Sequence, residues 1–288
     1  MRRAIEMAWI AAALAGVALS SGDALSSPGQ AKPGKGGAGD AVALTAASLA
    51  ELKSDDVELV RAGLDDARLA GPKAAAAVPQ IVLLLRSGLP YPVAEAAIDT
   101  LSEIESPEVQ AFVPYAHHRD AKLRRAAVRA LGKVTSVAAV PVATDALRAA
   151  LADPDALVRA TAAIGLGSLK AHAALPDLFL ALDHHIYEAA VSIGQLCTGA
   201  DCDAFVGRMG KIPFDVLTTG IDPMLFRPEV SEDAKVLVVD KVRDVGTGDA
   251  NKFLRGIQTR WPKTGSAKVK REIDAAVLAT LASPGAGS

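Results

Sequence analysis

From residue 93 onward, apolar side chains recur at spacings of four, four and three. Val93, Ala97, Leu101 and Ile104 follow this pattern, as do Leu123, Ala127, Leu131 and Val134. So do Val158, Ala162, Leu166 and Leu169, and again Ala234, Val238, Val242 and Val245. His185, Ala189, Ile193 and Leu196 fit with a histidine first, and Val269, Ile273, Val277 and Thr280 with a threonine last. Each set falls on one face of a helix turning 3.6 residues per turn, so each predicts an amphipathic helix with a single buried stripe.

Two kinds of punctuation keep the same rhythm. A glycine stands near the end of several predicted helices (Gly132, Gly167, Gly194). The next helix then opens on an apolar residue and a proline: Val78-Pro79, Val113-Pro114, Val140-Pro141, Leu175-Pro176. Proline fits a first helical turn, where its missing N–H has no partner in any case. Starts at 93, 123, 158, 185, 234 and 269 suit stacked helix–turn–helix units, with room between 185 and 234 for an irregular unit using Leu217 and Ile221. The expectation is an all-α chain, an α-solenoid of stacked helix pairs.

"HRDAKLRRAAVRALGKV", "LADPDALVRATAAIGLGSL" and "LPDLFLAL" resemble HEAT repeats, in particular the short units first associated with phycobilisome lyases. The resemblance covers residues 44–196 closely and 230–282 loosely. It implies a ladder between neighbouring repeats, built from an Asp in the turn and an Arg six residues later. Asp153/Arg159 and Asp55/Arg61 keep that pair, His118 replaces the Asp before Arg124, and Ile186 replaces the Arg in the fifth unit. The ladder arginines are expected to tie repeat to repeat; contact with a ligand is the rival role. The expected organisation is a signal peptide at 1–24, a leader at 25–40, a repeat array at 41–228, capping repeats at 229–282 and a tail at 283–288.

The first residues read as a secretory signal. Arg2 and Arg3 precede an apolar stretch, Met7–Leu19, followed by small residues suited to cleavage after position 20 or 24. Thirteen helical residues reach about 20 Å, short of a bilayer core of about 30 Å, so cleavage is favoured over a retained anchor. Residues 26–40, rich in Gly, Pro, Ser and Lys, suit a flexible leader. Export implies a periplasmic or secreted protein with no membrane insertion after cleavage. The whole chain of 288 residues has a formal charge of −2, and 29 basic and 32 acidic residues remain after the first twenty. Such a balance offers no case for nucleic acid.

Candidate chemistry is sparse. Cys197 and Cys202 are the only cysteines. In an exported chain they predict a disulfide, with a redox pair as the rival. His117-His118 and His184-His185 lie too far apart for one metal site and read as turn residues. Lys122, Arg125, Arg129 and Lys133 form a basic stripe; thirty residues earlier than the last three stand Glu95, Asp99 and Glu103. Opposite stripes on adjacent repeats predict ion pairs across the stack, while the same residues form the candidate binding face. Phe214, Met224, Leu225 and Phe226 are expected to cap the array or to receive a partner. No nucleophile elbow, phosphate-binding loop or His-Glu-x-x-His is present. The expected function is a non-catalytic scaffold for an unknown protein partner, with no cofactor. The alternative is a lyase, or another enzyme dependent on a chromophore or metal.

Overall fold

The computed structural model describes residues 44–281. The expected signal peptide, leader and tail lie outside the described residues. Among those residues there are fourteen α-helices and no strand. They are α1 (Ala46–Glu51), α2 (Val57–Ala70), α3 (Val78–Ser87), α4 (Tyr91–Glu103), α5 (Ala121–Leu131), α6 (Val140–Ala150), α7 (Ala156–Ser168) and α8 (Leu175–Asp183). There follow α9 (Ala189–Leu196), α10 (Ala200–Val206), α11 (Phe214–Phe226), α12 (Glu232–Val245), α13 (Gly248–Arg260) and α14 (Ala267–Leu281).

Local chemistry places the boundaries. Asp56, Asp120 and Asp155 sit in extended backbone and cap α2, α5 and α7 by accepting N–H groups of the first turn. Pro79, Pro141 and Pro176 stand in the first turns of α3, α6 and α8. Around Val113-Pro114 the full helix is replaced by two short 3-10 turns, Val109–Ala111 and Val113–His117.

Helices α2, α4, α5, α7, α9 and α11 pack in sequence as one layer, and α1, α3, α6 and α8 each cover their partner in it. The predicted stripes form the seam between layers. Val93, Ala97, Leu101, Leu123, Ala127, Leu131, Val158, Ala162 and Leu166 are all buried. Leu217 and Ile221, on α11, are buried in the irregular unit. Helices α12, α13 and α14 pack on one another beyond α10 and α11. Met224 and Leu225 are buried there, Phe214 meets Phe253 edge to face and Phe226 lies against Trp261.

One expectation needs correction here. The fifth unit's second helix starts at Ala189, not at His185, whose φ of 64° is incompatible with a right-handed helix. The glycines do stand near helix ends, Gly132 as the C-cap residue of α5 and Gly167 and Gly194 in the last turns of α7 and α9. Gly132 keeps right-handed backbone and faces Gly165 across the α5–α7 contact, while Gly194 lies inside α9 against Gly220 of α11. A Cβ on Gly194 would sit 1.9 Å from the Gly220 carbonyl oxygen. These glycines let neighbouring helices of the layer touch backbone to backbone.

Candidate binding surface

The turn before α7 holds a two-pronged polar contact between repeats. Arg124, on α5, donates from Nε and Nη2 to the two carboxylate oxygens of Asp153 at 2.7 and 2.8 Å. Its Nη1 donates to the carbonyls of His118 and Arg119, in its own turn, at 2.9 and 3.2 Å. One guanidinium thus closes its own turn and grips the next repeat. Asp153 also receives the N–H of Asp155 at 2.8 Å. Burial by itself raises the Asp153 carboxyl, but Arg124 and that N–H outweigh it and hold the group below the ordinary carboxylate range.

The other ladder residues sit differently. Arg159 does not bond the Asp153 carboxylate; its Nη1 donates to the carbonyls of Asp153 and Pro154 at 2.7 and 3.1 Å. His118 takes the turn role of an aspartate, its Nδ1 accepting the Asp120 N–H at 3.0 Å. In the first repeat that role belongs to Ser54, whose Oγ accepts the Asp56 N–H at 3.0 Å. The register is therefore one residue earlier than Asp55/Arg61. Six residues after Ser54 stands Val60, which is buried, so the arginine slot is apolar and Arg61 is exposed outside the ladder.

On the open side of the layer, Arg129 donates to Asp99 and Lys133 to Glu103, each at 2.7 Å, joining α5 to α4. Arg125 departs from the expected pairing with Glu95. It turns the other way and engages both carboxylate oxygens of Asp155 in the next repeat. That contact holds the Asp155 carboxyl down to about 2. Glu95 instead accepts the Tyr91 hydroxyl at 2.8 Å. Burial, then this carboxylate, pushes the Tyr91 phenol up to about 12. Lys122 stands over the Tyr91 ring, 5.5 Å from its centroid. On α7 the exposed positions change character: Leu157 and Ile164 stand out to solvent. An acidic, a basic and an apolar helix thus lie side by side.

Spacing of 29 or 30 residues could also have found the unforeseen pairs Arg148–Asp177 and Arg243–Glu272. Irregular offsets hid Arg208–Asp183 and Arg260–Asp222.

Cys197 and Cys202 are joined by a disulfide with Cα atoms 5.0 Å apart. Both are buried, where α9 gives way to α10, and Arg227 donates to the carbonyls of Gly194 and Cys197 beside them. His117 ends a 3-10 turn, and His184 and His185 occupy the turn after α8. Among the described residues no cluster of three His, Cys, Asp or Glu could hold a metal ion.

The two-layered stack of helix pairs, joined by arginine contacts from one repeat to the next, defines an α-solenoid. The family model for HEAT repeats matches residues 78–148 and 110–194, so the chain carries HEAT repeats over residues 78–194. No curated protein matches it by sequence. Similar solved structures include the complex of CpcE and CpcF of phycocyanin lyase from Nostoc sp. PCC7120, at 17% identity over 87% of this chain and 100% of that chain, TM-score 0.45. An engineered protein is 14% identical over 81% of this chain and 68% of its own, TM-score 0.49. A designed armadillo repeat protein in complex with the peptide (KR)4 is 15% identical over 81% and 98%, TM-score 0.41.

Proposed function

We propose that this chain is an exported, non-catalytic scaffold that holds a protein partner on the open side of α4, α5 and α7. The observation that carries this reading is the succession of three chemistries on adjacent helices. The acidic side chains of α4 and the basic ones of α5 neutralise one another through Arg129–Asp99 and Lys133–Glu103. Leu157 and Ile164, 54% and 48% exposed, then provide an apolar strip beside them. An apolar centre bordered by charge is how protein interfaces are commonly built.

The test is capture from envelope extracts on immobilised protein, comparing the native chain with Leu157→Glu/Ile164→Glu. Both positions are exposed, so the variant keeps its fold. A partner retained by the native chain and lost by the variant is the expected result. An unchanged set of captured proteins overturns the face. A visible absorption band or a bound metal in the purified protein would favour a lyase or another cofactor-dependent enzyme instead. Export is checked by N-terminal sequencing, which is expected to find the mature protein starting near residues 21–25; Met1 retained in a cytosolic fraction overturns it.

A further inference from the structure

Arg124 and Arg159 are held in the same way but end differently. Each sends Nη1 back to two carbonyls of its own turn, which presents Nε and Nη2 to the following repeat. For Arg124 that edge meets the Asp153 carboxylate. For Arg159 no carboxylate meets it among the described residues.

The reason is visible in the sequence. Pro141 and Gly167 bracket one repeat and lie 26 residues apart; Pro176 and Gly194, their counterparts, lie only 18 apart. The shortening falls where the previous repeat carries its Asp153 turn and the first turn of α7. Helix α9 accordingly starts late, after a tight turn through His185. A cleft of about 530 Å³ opens there, lined by Arg148, Asp153, Arg159, Asp177, Leu180 and His184 among others, with Asp153 already held by Arg124. Arg148 donates to Asp177 at 2.7 Å, so Arg159 is the guanidinium left without a carboxylate. Leu180, 58% exposed, supplies an apolar wall.

We infer that this cleft binds an acidic segment of a partner protein, an Asp or Glu side chain seated on Nε and Nη2 of Arg159 with a neighbouring apolar side chain against Leu180. The partner would supply the rung that the fifth repeat lacks. Charge complementarity and shape both select this occupant, because a pre-oriented guanidinium fork fits a planar carboxylate. The inference deepens the scaffold reading only in taking the occupant to be protein.

The test uses the chain's own rung as probe: the capped peptide Leu-Ala-Asp-Pro-Asp-Ala-Leu, the sequence of residues 151–157, and a control with Asn for both Asp. The readout is the Nε–Hε resonance of Arg159 in nitrogen-15 spectra, assigned by its loss in Arg159→Gln. A saturable shift with the Asp peptide and none with the Asn peptide is expected. Arg159→Lys, which keeps the charge without the fork, should bind about ten-fold more weakly. Equal response to both peptides, no response at millimolar concentration, or an equal response to inorganic phosphate would overturn the inference. The Leu157→Glu/Ile164→Glu protein should still bind the peptide. Failure of the α7 face therefore leaves this site standing, and failure here leaves the face untouched.

Discussion

Arg124 and Asp153, 29 residues apart in the chain, form a two-pronged ion pair whose side chains are only 12% and 7% exposed. With Arg125–Asp155 beside it, this pair fixes how the turn before α7 sits on the start of α5 through side-chain charge. Replacing Asp153 with Asn keeps the shape but leaves a largely buried guanidinium unneutralised. The expected cost is about 2–3 kcal/mol, read as a fall in denaturation midpoint at unchanged slope. Asp55→Asn, outside the ladder, should be close to neutral in the same assay.

Acid should act through the neighbouring pair. Arg125 and two N–H groups at the start of α7 hold the Asp155 carboxyl at about 2, below its ordinary 3.8. Because the folded value is depressed, the stability this group contributes is complete above about pH 4. It is lost as pH falls through about 2. Asp155→Asn keeps a competent helix cap, so its melting temperature should fall less steeply than that of the native protein between pH 4 and 2. Parallel curves would mean that the Arg125–Asp155 contact does not persist in solution.

The disulfide should matter for stability alone. It closes a loop of four residues at the end of α9, far from Leu157 and Ile164 in the chain. Cys197→Ser/Cys202→Ser should lose about 2 kcal/mol and retain the captured partner. Thiols that titrate in the native protein without reductant would contradict the bond.

The layers of the solenoid were readable because burial depends on periodicity, and the apolar stripe of each long helix is unbroken. What failed was anything with two equivalent solutions. Thirty residues before Arg125 is Glu95 and thirty after it is Asp155, so spacing could not choose between them. Asp55 and Asp56 are adjacent acids, and only the hydrogen bond from Asp56 to Ser54 sets the register. The periodic pattern ran on through His185 because a stripe does not record a left-handed residue. Arg159 was visible as a ladder member, but its missing partner shows only when the shortened fifth repeat is folded beside it.

The exposed stripes should behave as modest, reciprocal ion pairs. Arg129→Asp/Lys133→Glu places like charges against Asp99 and Glu103, whose side chains are 35% and 49% exposed. At such exposure each native pair is worth no more than about 1 kcal/mol. Adding Asp99→Arg/Glu103→Lys should restore the native midpoint, whereas Glu95→Arg should not rescue Arg125→Glu. Rescue by Glu95→Arg would restore the pairing that the fold rejects.

The last prediction sets the same substitution against itself at two glycines. Both Gly194 and Gly256 lie inside helices, where alanine is intrinsically preferred by about 1 kcal/mol. Around Gly256 nothing stands within 4 Å of an added Cβ, so Gly256→Ala should stabilise the protein by about 0.5–1 kcal/mol. At Gly194 the added methyl would meet the backbone of Gly220 at 1.9 Å, and α9 and α11 would have to part. Backbone cannot yield as a side-chain tip does, and the loss should exceed about 3 kcal/mol. Chemical denaturation of the two variants reads both signs at once. Gly194→Ala of native stability would show that the two helices do not approach backbone to backbone.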